Sequence, residues 1–99
     1  MSRGPDAATQ LARALERNGP GVTVSRCEAT PWASVTFAGA RHRLTLEARA
    51  TTGLDRWLAG LPDAEFALHG HLVADVTVTA IEHCDGRASV SIEALTVED

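Results

Sequence analysis

The strongest constraint on the fold is a long alternation of apolar and polar residues that begins at Phe66. From there to Ala80, the even-numbered positions are apolar or small almost without a break. A period of two is typical of a β-strand, because successive strand residues point to opposite sides of the sheet. Asp85-Gly86 is a turn signal, and residues 88–94 alternate again. The C-terminal half therefore predicts a β-hairpin with one apolar face.

The register of this hairpin predicts an irregular turn. A two-residue loop would pair the apolar Val78 with Glu93, whereas a loop one residue longer pairs Val78 with Ala94. Because the apolar faces of paired strands should match, we predict an odd-length or bulged turn around Cys84–Arg87. Gly70 interrupts the alternation and predicts a further bend or bulge.

The N-terminal region predicts a helix. Pro5 is typical of a first helical turn, and Asn18-Gly19-Pro20 is typical of a helix end. The apolar stripe between them is thin, with Leu11 and Leu15 as its only large residues. Because two leucines bury little surface, this helix is expected to dock weakly or to complete its burial against a partner.

Three strand segments are expected after this helix. The first starts at Val22, and the segments Ser34–Ala38 and Arg41–Ala48 then alternate on either side of Gly39-Ala40. A glycine at the first position of a two-residue loop suits a type II′ turn, and this loop would match the apolar positions of the two segments. We therefore predict a tight hairpin at Gly39-Ala40.

A second helix is expected between the two sets of strands. Thr52 with Asp55 resembles a shortened capping box, and Pro62 is a stop signal. Large apolar residues recur at helical spacing between them, at Leu54, Trp57, Leu58 and Leu61. The predicted fold is one α+β domain over residues 1–99, with the order α-β-β-β-α-β-β. Its antiparallel sheet carries two helices on one face and has a polar second face.

Charge and hydropathy exclude several classes of partner. All nine cationic residues are arginine, and the net charge is −4. Residues 1–49 carry seven arginines against four acids, a net charge of +3, whereas residues 50–99 carry two arginines against nine acids, a net charge of −7. An acidic domain is not typical of nucleic-acid binding, and no run of ~18 apolar residues predicts a membrane span. With no export signal at the N-terminus, we predict a cytoplasmic protein. The absence of lysine beside abundant alanine and arginine is typical of a GC-rich genome, from which we predict a bacterial source.

His69 and His71 form the sharpest candidate metal site. Residues i and i+2 of a strand lie on one face roughly 6.6 Å apart, a spacing at which two imidazoles can share a zinc ion. A third ligand is needed, and Asp75 would be about 13 Å from His71 along a straight strand. Two surface histidines are the simpler interpretation, and zinc is the alternative.

His42 and its neighbours form a second candidate site. On the apolar face of the predicted hairpin, His42 is expected at the core margin with one nitrogen satisfied. The alternative is that His42 lines a pocket beside Trp32 or Trp57. Arg41 and Arg43 flank it and could bind an anion at that edge. Trp32 is also a candidate interface anchor, because exposed tryptophans often serve that role.

The two cysteines do not indicate a catalytic site. In a protein without an export signal, Cys27 and Cys84 are expected to be reduced and mostly buried. His83 precedes Cys84, but adjacent strand residues point to opposite faces and do not readily form a base–nucleophile pair. We therefore predict no catalytic residues.

Three functional interpretations follow from these patterns. The first is a non-enzymatic protein-interaction module that forms a homodimer or binds a protein partner, with no nucleic acid and no membrane. The second is a small-molecule or metal-binding protein that uses the sheet face of His69 and His71. The third depends on element order alone, which resembles the first seven elements of type III secretion chaperones. That resemblance implies an adaptor for a secreted protein.

Overall fold

Two helices alternate with two antiparallel β-hairpins in this protein. A computed structural model describes residues 6–99 of the chain. The helices are α1 (Ala7–Asn18) and α2 (Thr52–Gly60), and a 3₁₀ turn at Leu61–Asp63 extends α2. The strands are β1 (Thr23–Ala33), β2 (Ala38–Arg49), β3 (His71–Cys84) and β4 (Arg87–Glu98), in the sheet order β1-β2-β4-β3. The α+β class with an antiparallel sheet is confirmed, with one strand fewer than predicted.

The missing strand results from a different first turn. Gly39 and Ala40 lie inside β2, and the chain reverses between Ser34 and Phe37 instead. The Ser34 hydroxyl accepts a hydrogen bond from the Phe37 backbone N–H at 3.0 Å. The predicted tight hairpin is therefore wrong. Gly39 instead lies where the backbones of β2 and β4 come into close contact. A Cβ at this position would lie 1.9 Å from the Thr96 carbonyl oxygen of β4.

The second hairpin turns through two residues only. Asp85 and Gly86 have φ angles of 52° and 76°, and Cys84 pairs with Arg87 across them. Two positive φ angles define a type I′ turn, whose twist matches that of the flanking strands. The predicted odd-length or bulged turn is therefore wrong at this place.

The extra residue that the register requires lies inside β3. One β-bulge falls between Val73 and Asp75, and a second falls between Val78 and Ala80. The second bulge brings Val78 opposite Ile92 and so matches the apolar sides of the two strands. Each bulge shifts the alternation of side chains by one residue, so the even-numbered positions of β3 do not all lie on one face of the sheet.

Both helices pack on the same face of the sheet, which we call the helix face. Leu11 and Leu15 of α1 are 1 % and 0 % exposed, and they form one core cluster with Leu54 and Leu58 of α2. The sheet contributes Leu44, Leu46, Ala48, Val76, Ala88, Val90, Ile92 and Ala94 to this cluster. Each buried leucine contributes ~1.5–3 kcal/mol. The prediction of a weakly docked first helix is wrong, because both of its large apolar residues are buried within the chain.

Polar contacts also hold α1 in place. The Glu16 carboxylate accepts a hydrogen bond from the Val24 backbone N–H at 2.9 Å. Asn18 Oδ1 accepts one from the Trp57 indole N–H at 2.7 Å, which links the end of α1 to α2. None of the helices within residues 6–99 is long and apolar enough to cross a membrane.

The two cysteines are free and exposed, which corrects the expectation of buried thiols. Cys27 lies on β1 and Cys84 ends β3, and these are the two outer strands of the sheet. Partial burial and the Asp6 carboxylate raise the pKa of the Cys27 thiol above its ordinary value. This thiol is therefore protonated at neutral pH and is a poor nucleophile.

Candidate functional site

The predicted binding residues divide between the two faces of the sheet. His42 lies on the helix face and is 1 % exposed, whereas Arg41 and Arg43 point to the opposite side, which we call the open face. Trp32 pairs with Gly39 in the register of β1 and β2, and so it also lies on the open face. The structure therefore brings these four residues to two separate surfaces.

His42 is a buried histidine with one satisfied nitrogen, as the sequence predicts. Nε2 lies 2.8 Å from Thr96 Oγ1, and this hydroxyl donates to the Ala40 carbonyl oxygen at 3.4 Å. Because the hydroxyl proton is used there, we assign the imidazole proton to Nε2, which donates to Thr96. Nδ1 then carries a lone pair, and it has no hydrogen-bond partner among residues 6–99. His42 thus offers an unused acceptor.

The environment of His42 keeps the imidazole neutral. Burial lowers the pKa of His42 below its ordinary value, since the charged form is poorly solvated there. The Asp6 carboxylate opposes this shift, and His71 adds to it. Of the ionisable groups around His42, Asp6 precedes α1, His71 belongs to β3 and Glu98 belongs to β4. The imidazole is therefore a hydrogen-bond acceptor at neutral pH.

Acidification through the histidine range is expected to destabilise the fold. Unfolded His42 binds a proton near pH 6.5, whereas folded His42 binds it only at lower pH. The unfolded state then holds more protons, so the free energy of unfolding falls as pH drops from above 6.5 toward the folded pKa. Urea unfolding at about pH 8 and about pH 5.5 measures this loss, which should be smaller in His42→Asn.

Two controls accompany this measurement. His69→Ala removes an exposed histidine and should leave the pH-dependent loss unchanged. Asp6 does not contribute to the loss between about pH 8 and about pH 5.5. The Thr9 N–H lowers the pKa of Asp6 from 3.8, so the stability that Asp6 contributes is present above pH 3.8 and is lost only below it. An equal loss in wild type and His42→Asn would contradict the assignment to His42. The NMR titration of the His42 ring in the wild type gives an independent check.

A small cavity lies at the end of the helix face, beside the start of α1. Its volume is about 240 Å³. Among residues 6–99, the ionisable side chains that line it are Asp6, His42, His71 and Glu98. The Asp6 carboxylate caps α1 by accepting a hydrogen bond from the Thr9 backbone N–H at 2.8 Å. The cavity thus joins the start of α1 to all four strands of the sheet.

His69 and His71 do not share the face of one strand. His69 lies in the turn before β3, where Gln10 donates to its carbonyl oxygen at 3.0 Å and accepts from its N–H at 2.6 Å. Gly70 has a φ of 79° in this turn, and β3 begins at His71. His71 lines the cavity of His42, and His69 does not. Within residues 6–99, no group of three or more His, Cys, Asp or Glu side chains is placed to hold a metal ion.

One end of the open face is apolar. A single row crosses all four strands there, and it consists of Trp32, Gly39, Val97 and Leu72. Leu72 is 56 % exposed, and the adjacent β1–β2 loop exposes Val35 and Phe37. The Trp32 indole N–H is buried and has no hydrogen-bond partner in the described part of the chain. We call this row with its neighbour Leu95 the apolar end.

The rest of the open face is divided by charge. The β1–β2 half has four arginines and two glutamates, at Arg26, Arg41, Arg43, Arg49, Glu28 and Glu47. The β4–β3 half has one arginine and three acids, at Arg87, Asp75, Glu82 and Glu93. Within residues 6–99, Arg26 and Glu28 form the only salt bridge, at 3.2 Å. Arg43 lies between Glu28 and Glu93 in the register, but neither pair forms a salt bridge among the described residues.

Sequence reasoning missed Leu72 as a surface residue. The unbroken even-numbered alternation placed it on the same face as Val76, but the bulge after Val73 turns it to the open face. The adjacent apolar pair Leu72-Val73 was the available signal, because a regular half-buried strand would alternate there. The role of Asp6 and Glu98 in lining the His42 cavity was also missed, since it depends on tertiary structure.

Comparisons of the chain with protein-family models, with curated proteins and with solved structures found no match. The resemblance to type III secretion chaperones depended on three strands between the two helices. The structure has two strands there.

Proposed function

We propose that this protein is a cytoplasmic, non-enzymatic interaction module that forms a homodimer through its open face. The observation that carries this proposal is the apolar end, a row of exposed and half-buried side chains on a sheet face without a covering helix. Contiguous apolar surface of this kind is typical of interaction sites. A second copy of the chain would cover it and would also pair the charges beside it.

The charge division favours one arrangement of the two copies. Sheets packed face to face keep their strand directions within about 30° of each other. A twofold axis along the strands places the β1–β2 half of one copy over the β4–β3 half of the other. Arg43 pairs with Glu93 within one sheet, so this operation sets Arg43 over the partner's Glu93. Trp32 comes to lie over the partner's Leu72 in the same way.

The area of the open face suits a stable dimer. Its strands are 11 to 14 residues long. At ~3.3 Å per residue and ~4.8 Å between strands, four strands cover roughly 40 by 19 Å, or about 750 Å². A standard protein–protein interface buries about 800 Å² on each partner. The open face alone is therefore large enough.

Light scattering after size-exclusion chromatography tests the dimer. At about 100 μM the wild type should elute with the mass of two 10.5 kDa chains. Leu72→Lys should weaken association by at least about tenfold, because it inserts a charge over the partner's Trp32. Ile81→Lys is the matched control, since Ile81 is an exposed apolar residue of the same strand that belongs to the helix face. A monomeric wild type would contradict the proposal.

A charge exchange tests the arrangement itself. Arg43→Glu and Glu93→Arg should each weaken the dimer, because each sets like charges against each other twice across the axis. The double variant restores opposite charges and should recover association. If both single variants remain fully dimeric, the copies do not pack with this axis.

A further inference from the structure

We propose that the cavity beside the start of α1 binds a small organic ammonium ion, held by His42 Nδ1 and the carboxylates of Asp6 and Glu98. This site is on the helix face and is independent of the dimer surface. The ligand class is a short primary alkylamine in its protonated form.

The first argument is the hydrogen-bonding character of the cavity. His42 is 1 % exposed, and its Nδ1 is an acceptor with no partner among the described residues. Buried polar atoms in native structures nearly always have a partner, so an unpaired acceptor on a residue that lines the cavity indicates a missing donor. An ammonium group has three N–H donors and no acceptor, which matches a site made of acceptors.

The second argument is charge. Asp6 and Glu98 line the cavity, and neither takes part in a salt bridge within residues 6–99. Asp6 also caps α1, by accepting hydrogen bonds from the backbone and the side chain of Thr9. Two carboxylates repel an anionic ligand and attract a cation, and hydrogen bonds between charged groups are the stronger kind. Among residues 6–99, His71 is the other ionisable side chain that lines the cavity.

The third argument is the shape and lining of the cavity. Its apolar lining includes Ala7, Ala8, Ala29, Pro31 and Ala40, and this lining suits a short alkyl chain. The volume of about 240 Å³ is below the ~300–1,000 Å³ of pockets for drug-sized ligands. The ligand is therefore small, with one cationic end and one apolar end.

Titration with butylammonium, followed by NMR, tests the site. At about pH 7.5 the wild type should bind it saturably below about 10 mM, with shifts at His42 and Thr96. Tetramethylammonium has no N–H donor and butanol has no charge, so each should bind at least about tenfold more weakly. Butyrate should not bind. No saturable binding of butylammonium, or equal binding of butanol, would overturn the proposal.

Substitutions test which side chains bind butylammonium. Asp6→Asn keeps an acceptor for the helix cap but removes the charge, and it should weaken butylammonium binding by about tenfold. His42→Asn should weaken it similarly. His69→Ala lies outside the cavity and should bind as the wild type does. If His42→Asn does not fold, Asp6→Asn and the ligand series decide the result. Unchanged affinity in Asp6→Asn would contradict the assignment.

Discussion

Replacing Gly39 with alanine is expected to destabilise the fold by about 3 kcal/mol. The added Cβ would lie 1.9 Å from the Thr96 carbonyl oxygen and 3.0 Å from the Val97 Cα. Both are backbone atoms of β4, so the clash is relieved only if two central strands separate. Alanine has less conformational entropy than glycine in the unfolded state, and this difference stabilises the fold by only about 0.4–1 kcal/mol. A loss of this size is a large fraction of the ~5–15 kcal/mol that stabilises a typical domain.

Urea and thermal unfolding at one fixed chain concentration measure this effect. The melting temperature should fall by roughly 10–25 °C. Gly60→Ala is the matched control, because no atom lies within 4 Å of its added Cβ. That variant should keep the wild-type stability or gain slightly. A Gly39→Ala protein as stable as Gly60→Ala would show that β2 and β4 are farther apart at this point.

Replacing Leu15 with alanine is expected to cost about 2–5 kcal/mol of the free energy of unfolding. Leu15 is 0 % exposed and belongs to the core cluster, so its removal leaves a cavity between α1 and the sheet. Arg17 lies on the exposed side of the same helix, and Arg17→Ala should change the free energy of unfolding by no more than about 0.5 kcal/mol.

The same urea experiment distinguishes an integral first helix from a loosely docked one. If α1 docked weakly, Leu15→Ala would cost less than about 1 kcal/mol, in the range of an exposed substitution. The hydrogen bonds of Glu16 to β1 and of Asn18 to Trp57 support the larger value. A small loss would therefore contradict the burial of α1 in this fold.

Local signals in the sequence were sufficient for the helices and for the fold class. Thr51, one residue before the predicted cap, caps α2 by accepting from the Leu54 N–H at 3.0 Å. His42 could be placed at the core margin because it shares the alternation of Leu44 and Leu46. These features depend on periodicity and on side chains that form hydrogen bonds with residues a few positions away in the chain.

The remaining features depend on partners that are distant in the chain. A β-bulge is a mismatch between two strands, so the bulge after Val78 shows only in the pairing with β4. Gly39 is compatible with a turn or with a close approach, and only the position of Thr96 distinguishes them. The cavity of His42 joins residues as far apart as Asp6 and Glu98. No local pattern marks such a site.

The bulges have a consequence for solubility. Both outer strands of the sheet are long and unpaired along one side, and such strands can act as templates for open-ended polymerisation. Each of them is irregular, with a bulge between Val24 and Arg26 in β1 and two bulges in β3. Pro31 in β1 also lacks a backbone donor. These irregularities disfavour the addition of a further strand at either side of the sheet.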